Sequence, residues 1–240
     1  MNRQPHAVVD LSSRYLKAQK IERLLGLNQV FKPIRLLDIG TGSGGIAHYF
    51  ATQADGVYNV TGVDVVDVRI VKDGYSFCLL SDTNLPFPDG CFDVVISNHV
   101  IEHVGDSENQ INHLKEILRV MARKGVAYLA TPNRWMLVEP HYGLPFLSWL
   151  PHSMWHRYVR AMRRGNWYDC EPLSPGLLED FLCQVGFQYE NICIEALMEM
   201  FRTEKASHPV WKLLSGIPKC ALRKMLPWMP TLVYKLRPIE

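Results

Sequence analysis

Residues 36–45 constrain the fold of this chain more than any other stretch: Leu36-Leu37-Asp38-Ile39-Gly40-Thr41-Gly42-Ser43-Gly44-Gly45. The apolar residues before Asp38 read as a buried parallel strand. The glycines read as a tight turn, where backbone approaches a ligand closely. Ile46-Ala47-His48-Tyr49-Phe50 can continue as a helix. A strand, a glycine turn and a helix N-terminus aim free N–H groups at one place, as a nucleotide-like site requires. Gly40, Gly42 and Gly45 also satisfy G-x-G-x-x-G, so this pattern alone leaves a dehydrogenase open. Asp38 precedes the first glycine by two residues, where a carboxylate could accept from an ammonium group. A second acid, Asp64, follows the short run 58–63 and suits ribose hydroxyls in either cofactor class.

The next block separates the two classes. Leu85-Pro86-Phe87-Pro88-Asp89-Gly90-Cys91-Phe92-Asp93-Val94-Val95-Ile96-Ser97 resembles the fourth-strand region of class I S-adenosylmethionine (SAM) methyltransferases. The glycine motif, Asp64, Asp82 and Glu102-His103-Val104 keep that family's order and spacing. The resemblance covers residues 35–133 well and the remainder loosely. It implies S-adenosyl-L-methionine rather than NAD as cofactor. It also implies an α/β fold: a doubly wound, seven-stranded Rossmann-like sheet with the last strand pair antiparallel, in one domain over residues 1–240. Carried over residue by residue, the cofactor set is Asp38, Gly40, Thr41, Gly42, Gly44, Asp64, Val65, Asp82, Thr83, Asn98 and His99. Asp82 would meet the adenine amino group and the Thr83 backbone a ring nitrogen. Read on its own, Asp82 could equally cap a turn.

The order of elements follows from periodicity. An amphipathic helix is expected within 10–30; in the resembled family such a helix often closes over the cofactor, though packing on the sheet edge fits as well. Strands are expected near 34–39, 57–63, 76–80, 92–97, 126–130, 187–196 and 231–236. Helices are expected near 44–54, 106–121 and from Ser174-Pro175 to Gly186, with Gly125 stopping the second. The link 65–75 is too short for a full crossover helix.

Two insertions, about 132–172 and 199–229, hold all six tryptophans. Aromatics segregated this way suit a substrate lid, a partner surface or a membrane interface, or a satellite core under long loops. Residues 208–229 mix Lys212, Lys219, Arg223 and Lys224 with aliphatics and contain no acid, so peripheral membrane contact competes there with a lid. A net charge of +2 gives no general nucleic-acid signal. Six cysteines show no C-x-x-C pair, and no cluster of acids, histidines and cysteines suggests a metal; a reduced, cytoplasmic protein is expected.

Transfer to a hydroxyl or carbon needs a proton acceptor, for which His141, His103 and His99 are the candidates. Glu139 could orient His141 only if a turn at Pro140 brought the two together, since alternate strand residues share a face but their pairing needs the chain to curl. The pattern 131–134 with Glu139-Pro140-His141 to Pro151 resembles methyltransferases of bacterial polysaccharide and glycoconjugate synthesis. That implies a small-molecule or glycan hydroxyl, on a lipid-linked or nucleotide-linked acceptor. An aromatic or polyprenylated quinone precursor, methylated on O or C, and a SAM-binding regulator without turnover are the alternatives.

Overall fold

The computed structural model describes residues 10–27, 33–53, 56–203, 222 and 224–239. Seven strands form one sheet: β1 (Ile34–Ile39), β2 (Tyr58–Asp64), β3 (Ser76–Leu79), β4 (Phe92–Asn98), β5 (Met121–Pro132), β8 (Phe187–Asn191) and β9 (Thr231–Pro238). A two-stranded ribbon, β6 (Val138–Glu139) and β7 (Leu144–Pro145), lies in the first insertion. The large sheet runs β3-β2-β1-β4-β5-β9-β8, parallel except that β9 opposes both its neighbours. The order reverses between β1 and β4, so their carboxyl ends flank the crevice where open α/β sheets bind ligands.

Alternation along the central strands divides the core in two. Leu36, Val94, Ile96 and Tyr128 join one layer with α1 (Leu11–Leu25), α2 (Gly45–Ala51) and α6 (Cys193–Thr203). Leu37, Val95 and Leu129 point the other way, onto α3 (Ser107–Val120) and α5 (Pro175–Val185). Burial at every position of a strand's apolar run is what a sheet covered on both faces demands. The helix ends follow local chemistry: Asp10 caps α1, Asp106 caps α3, and Ser174 caps α5 before Pro175.

Two expected boundaries move. The third helix ends at Val120, and β5 starts at Met121 with Gly125 inside it, across a register irregularity opposite Phe92 and Val94. The strand expected over 187–196 ends at Asn191, where the Asn191 side chain accepts from the Cys193 N–H and the chain turns into α6. Cys193, Ile194, Ala196 and Phe201 are buried at helical spacing, and α6 packs on α1. The link 65–75 carries no helix; Arg69 makes a two-pronged pair with Asp67 there and lies over the Phe77 ring.

The first insertion has a small core of its own: Tyr142, Leu144, Leu147, Trp155, Val159, Tyr168 and Cys170, beside α4 (His152–Ala161). Trp155 is buried in it, whereas Trp135, Trp167 and Trp228 are exposed. The satellite core expected under the long loops is thus present at Trp155, while the other three present their rings to the surface. Trp211 and most of the basic stretch 208–229 lie outside the described residues. Among the described residues no helix is long and apolar enough to cross a membrane.

Candidate active site

A cavity of about 720 Å³ opens at the carboxyl ends of β1, β2 and β4. Asp38, Gly40, Thr41 and Gly42 line one side, Asp64 and Val65 the next, and Asp82 and Thr83 the far wall. Asn98, His99, His103 and His141 line the remaining side. Gly44 stands behind this surface as the N-cap of α2. It and Gly40 have positive φ (84° and 71°), and an added Cβ would collide with the Val71 carbonyl and with the Val100 side chain respectively. These two glycines let the turn fold tightly against its neighbours.

The acids behave differently from one another. Asp64 accepts from the Gly42 N–H (2.9 Å) and the Val65 N–H (2.8 Å), so it clamps the glycine turn to the end of β2. Asp38 is buried, and its Oδ2 has no hydrogen-bond partner. Burial, aided by the charge of Asp64, pushes its carboxyl up to about 7 against the opposing pull of Arg14. Asn98 Oδ1 is also buried without a partner. Two stranded acceptors lining one cavity call for a donor with several hydrogens, and a ligand ammonium fits both. Asp82 faces the cavity and also closes a turn, its Oδ1 accepting from the Asn84 N–H (2.8 Å). From α1, Arg14 and Lys17 reach the cavity, while Tyr15 instead stacks on His48 of α2.

At the other end of the cavity lie the histidines. The β6–β7 loop curls so that the Gly143 N–H returns to the Glu139 carbonyl (2.8 Å). That turn brings His141 Nδ1 to 2.6 Å from Glu139 Oε1, while Glu139 Oε2 accepts from the Tyr142 N–H (2.7 Å). Burial alone would lower the imidazole, but the Glu139 hydrogen bond and charge, with Glu102 and Asp169, raise it. His99 has positive φ (59°), uncommon outside glycine, and its Nδ1 meets buried Glu102 at 3.2 Å. Thr131 Oγ1 donates to the other Glu102 oxygen (3.1 Å). His103 packs edge-on against His141, ring centroids 5.3 Å apart.

Sequence spacing shows no cluster of histidines and cysteines, yet the fold makes one. His103, His141 and Cys170 bring ligand-type atoms within 4.8 Å of one another. His113 was also missed. It lies on α3, Ser97 Oγ and its Nε2 are 3.0 Å apart, and it lines the cavity; burial pushes it down to about 4.

Residues 11–174 match the methyltransferase domain family. This chain belongs to that family. Its cofactor is SAM. The chain is similar to ajmaline N-methyltransferase of Rauvolfia serpentina, 33% identical over 100 residues, which are 38% of this chain and 33% of that protein. It is also similar to the ubiquinone biosynthesis O-methyltransferase of Rickettsia akari (strain Hartford), 28% identical over 163 residues, 59% of this chain and 58% of the relative. The match thus spans less than two thirds of either relative. The plantazolicin methyltransferase BpumL, solved with S-adenosylhomocysteine (SAH), superposes with a TM-score of 0.59 at 18% identity, over 96% of this chain and 85% of BpumL. At that identity the likeness is one of fold.

The methyltransferase's cavity fits this cofactor on its own evidence. The stranded Asp38 and Asn98 oxygens suit an amino-acid ammonium, and Asp64 retains lone pairs for ribose hydroxyls. Asp82 and Thr83 line the same cavity.

Proposed function

We propose that the protein methylates a hydroxyl of a small-molecule or glycan acceptor, with His141 as the proton acceptor. The observation that carries this reading is that His141, 2.6 Å from Glu139, lines the same cavity as Asp38 with its stranded oxygen. Bound SAM supplies an already activated methyl group on a sulfonium. The chain's task is then to position the acceptor and take its proton. Glu139 fixes the imidazole through Nδ1, which leaves Nε2 to accept the hydroxyl proton. His103 and His99 stand behind as alternative acceptors; His99 is committed to Glu102 through one nitrogen. The ubiquinone-biosynthesis relative supports a second reading, O-methylation of an aromatic or polyprenylated quinone precursor. Incubating acceptor pools with labelled SAM and identifying the labelled product by mass distinguishes a sugar hydroxyl from a phenol.

The cofactor assignment predicts binding behaviour. Calorimetry should show SAM and SAH binding while NAD gives no heat. Asp64→Ala should weaken SAM by about 1.5–3 kcal/mol, through lost charge-assisted hydrogen bonds and a loosened turn. Saturable NAD binding in place of SAM reverses the assignment.

Asp38 adds a pH dependence. With a carboxyl pushed up to about 7, the unliganded site holds a proton that an incoming ammonium must displace. SAM affinity should therefore rise between pH 6 and 8, by up to about tenfold per unit below 7 and less above. Asp38→Asn should flatten the profile and weaken binding. The sign for folding is opposite. Because the folded-state value is raised, this group's contribution to stability is complete below the unfolded carboxyl value, about 4, and is lost as pH rises through 7. A flat SAM profile in the unaltered protein would remove Asp38 from ammonium recognition.

A further inference from the structure

We propose that His103, His141 and Cys170 form a binding site for a zinc-class divalent cation at the acceptor end of the cavity. Cys170 Sγ lies 3.7 Å from His103 Nδ1 and 3.7 Å from His141 Nδ1. A tetrahedral ion with Zn–S of about 2.3 Å and Zn–N of about 2.05 Å has S···N edges of about 3.6 Å, so both edges need to contract by only about a tenth of an ångström. The three residues come from different segments: the short 3-10 turn Ile101–His103, the β6–β7 loop and the irregular stretch at Cys170. No linear spacing joins them, which is why the sequence shows no ligand motif. Two imidazoles and a thiolate select a borderline-soft ion such as zinc over magnesium or calcium.

The surroundings favour a cation. Glu102 and Glu139 are buried carboxylates beside this trio, and Asp169 Oδ1 lies 3.7 Å from Cys170 Sγ. Burial first, then Glu139, Asp169 and Glu102, push the Cys170 thiol up, so without an ion it keeps its proton. On loading, the Cys170 S–H bond breaks, the S–metal bond forms and the proton passes to solvent. His141 changes tautomer: Nδ1 releases the proton it shares with Glu139 and Nε2 takes one up, so the ring binds as a neutral imidazole. Glu139 Oε1, 2.6 Å from that nitrogen, is then placed as the fourth ligand.

The consequence for turnover rests on the proposed role of His141. An ion on Nδ1 displaces the Glu139 contact that orients the ring and leaves the ring's proton on Nε2, the nitrogen that must accept the hydroxyl proton. Zinc occupancy and methyl transfer therefore exclude one another, and the cluster acts as an inhibitory metal switch.

Chelator-treated protein should be titrated with zinc in competition with a chromogenic chelator, and with cobalt followed by absorption. One ion per chain is expected, with a thiolate-to-cobalt charge-transfer band. Cys170→Ser should remove the band and weaken zinc more than the roughly 10–100-fold typical of losing a supporting partner, and Glu139→Gln, which takes the charge from the fourth ligand, should weaken zinc while keeping the band. SAM binding by calorimetry checks that Cys170→Ser still folds, and His103→Gln provides a second ligand deletion. Zinc affinity equal in the unaltered protein and Cys170→Ser, or a cobalt spectrum without the thiolate band, overturns the site. These measurements need no acceptor, so their failure leaves the methyl-transfer reading standing. Zinc that binds as expected but leaves turnover unchanged overturns the switch and places the proton acceptor elsewhere than His141.

Discussion

His141→Ala is expected to lower kcat by about 10²-fold or more, the usual scale for losing a general base, while SAM affinity stays within a few fold. The separation follows from the geometry. His141 lines the histidine end of the cavity, on the loop between β6 and β7, whereas the stranded Asp38 oxygen lies at the end of β1. Glu139 acts through His141, so Glu139→Gln should reduce kcat with KM nearly held, because the amide can still accept from the Tyr142 N–H but cannot stabilise an imidazolium. Turnover unchanged in His141→Ala on the true acceptor would remove it from the mechanism and leave His103 and His99 to be tested in turn.

The glycine-turn end of the cavity is legible in the sequence because its chemistry is local. Asp38, the glycine turn and Asp64 are specified by strand periodicity and by a turn that only glycine fits, and each lies within a few residues of the backbone it shapes. The acceptor half depends on contacts between distant segments. Glu139 and His141 become partners only because the β6–β7 loop curls at Pro140, and a sequence can state that need without deciding it. Cys170 reaches His103 and His141 through the insertion's separate core, for which no spacing rule exists. Residues 192–196 read as strand because their apolar residues fill both parities, yet they open α6. The later burial of Phe201, and the Asn191 contact that starts the turn, decide for a helix.

The protein is expected to sediment with anionic vesicles, and to lose that binding on replacement of four arginines, Arg157, Arg160, Arg163 and Arg164, by glutamine. The sequence leaves membrane contact and a lid as competing readings of 208–229, most of which lies outside the described residues. The first insertion supplies a second, described surface. Residues 140–168 contain no acid, and the four arginines are exposed on α4 and the turn after it. Beside them an apolar groove is lined by Pro145, Phe146, Leu150, Met154, Tyr158 and Ala161, with Arg157 at its edge. Phe146, Leu137 and Val138 are half exposed or more, at 50%, 58% and 54%. Trp149 packs edge-on against Phe146 and tilted against the exposed Trp228, so the last part of the basic stretch joins the same face. Apolar side chains beside a row of cations suit the headgroup–acyl boundary of an anionic leaflet. At about 1 kcal/mol per arginine the fourfold replacement removes about 4 kcal/mol, near 10³-fold in partitioning at low salt. Added salt should weaken the unaltered protein in the same direction, and neutral vesicles should bind it less. Phe146→Ser with Trp228→Ser should reduce binding even at low salt, since that part is not electrostatic. A protein that remains in the supernatant with anionic vesicles at low salt has a partner-facing or lid surface here, and a lipid-linked acceptor loses its support. The same holds if the glutamine variant binds as well as the original, because the arginines would then be solvated cations on the outside of a lid.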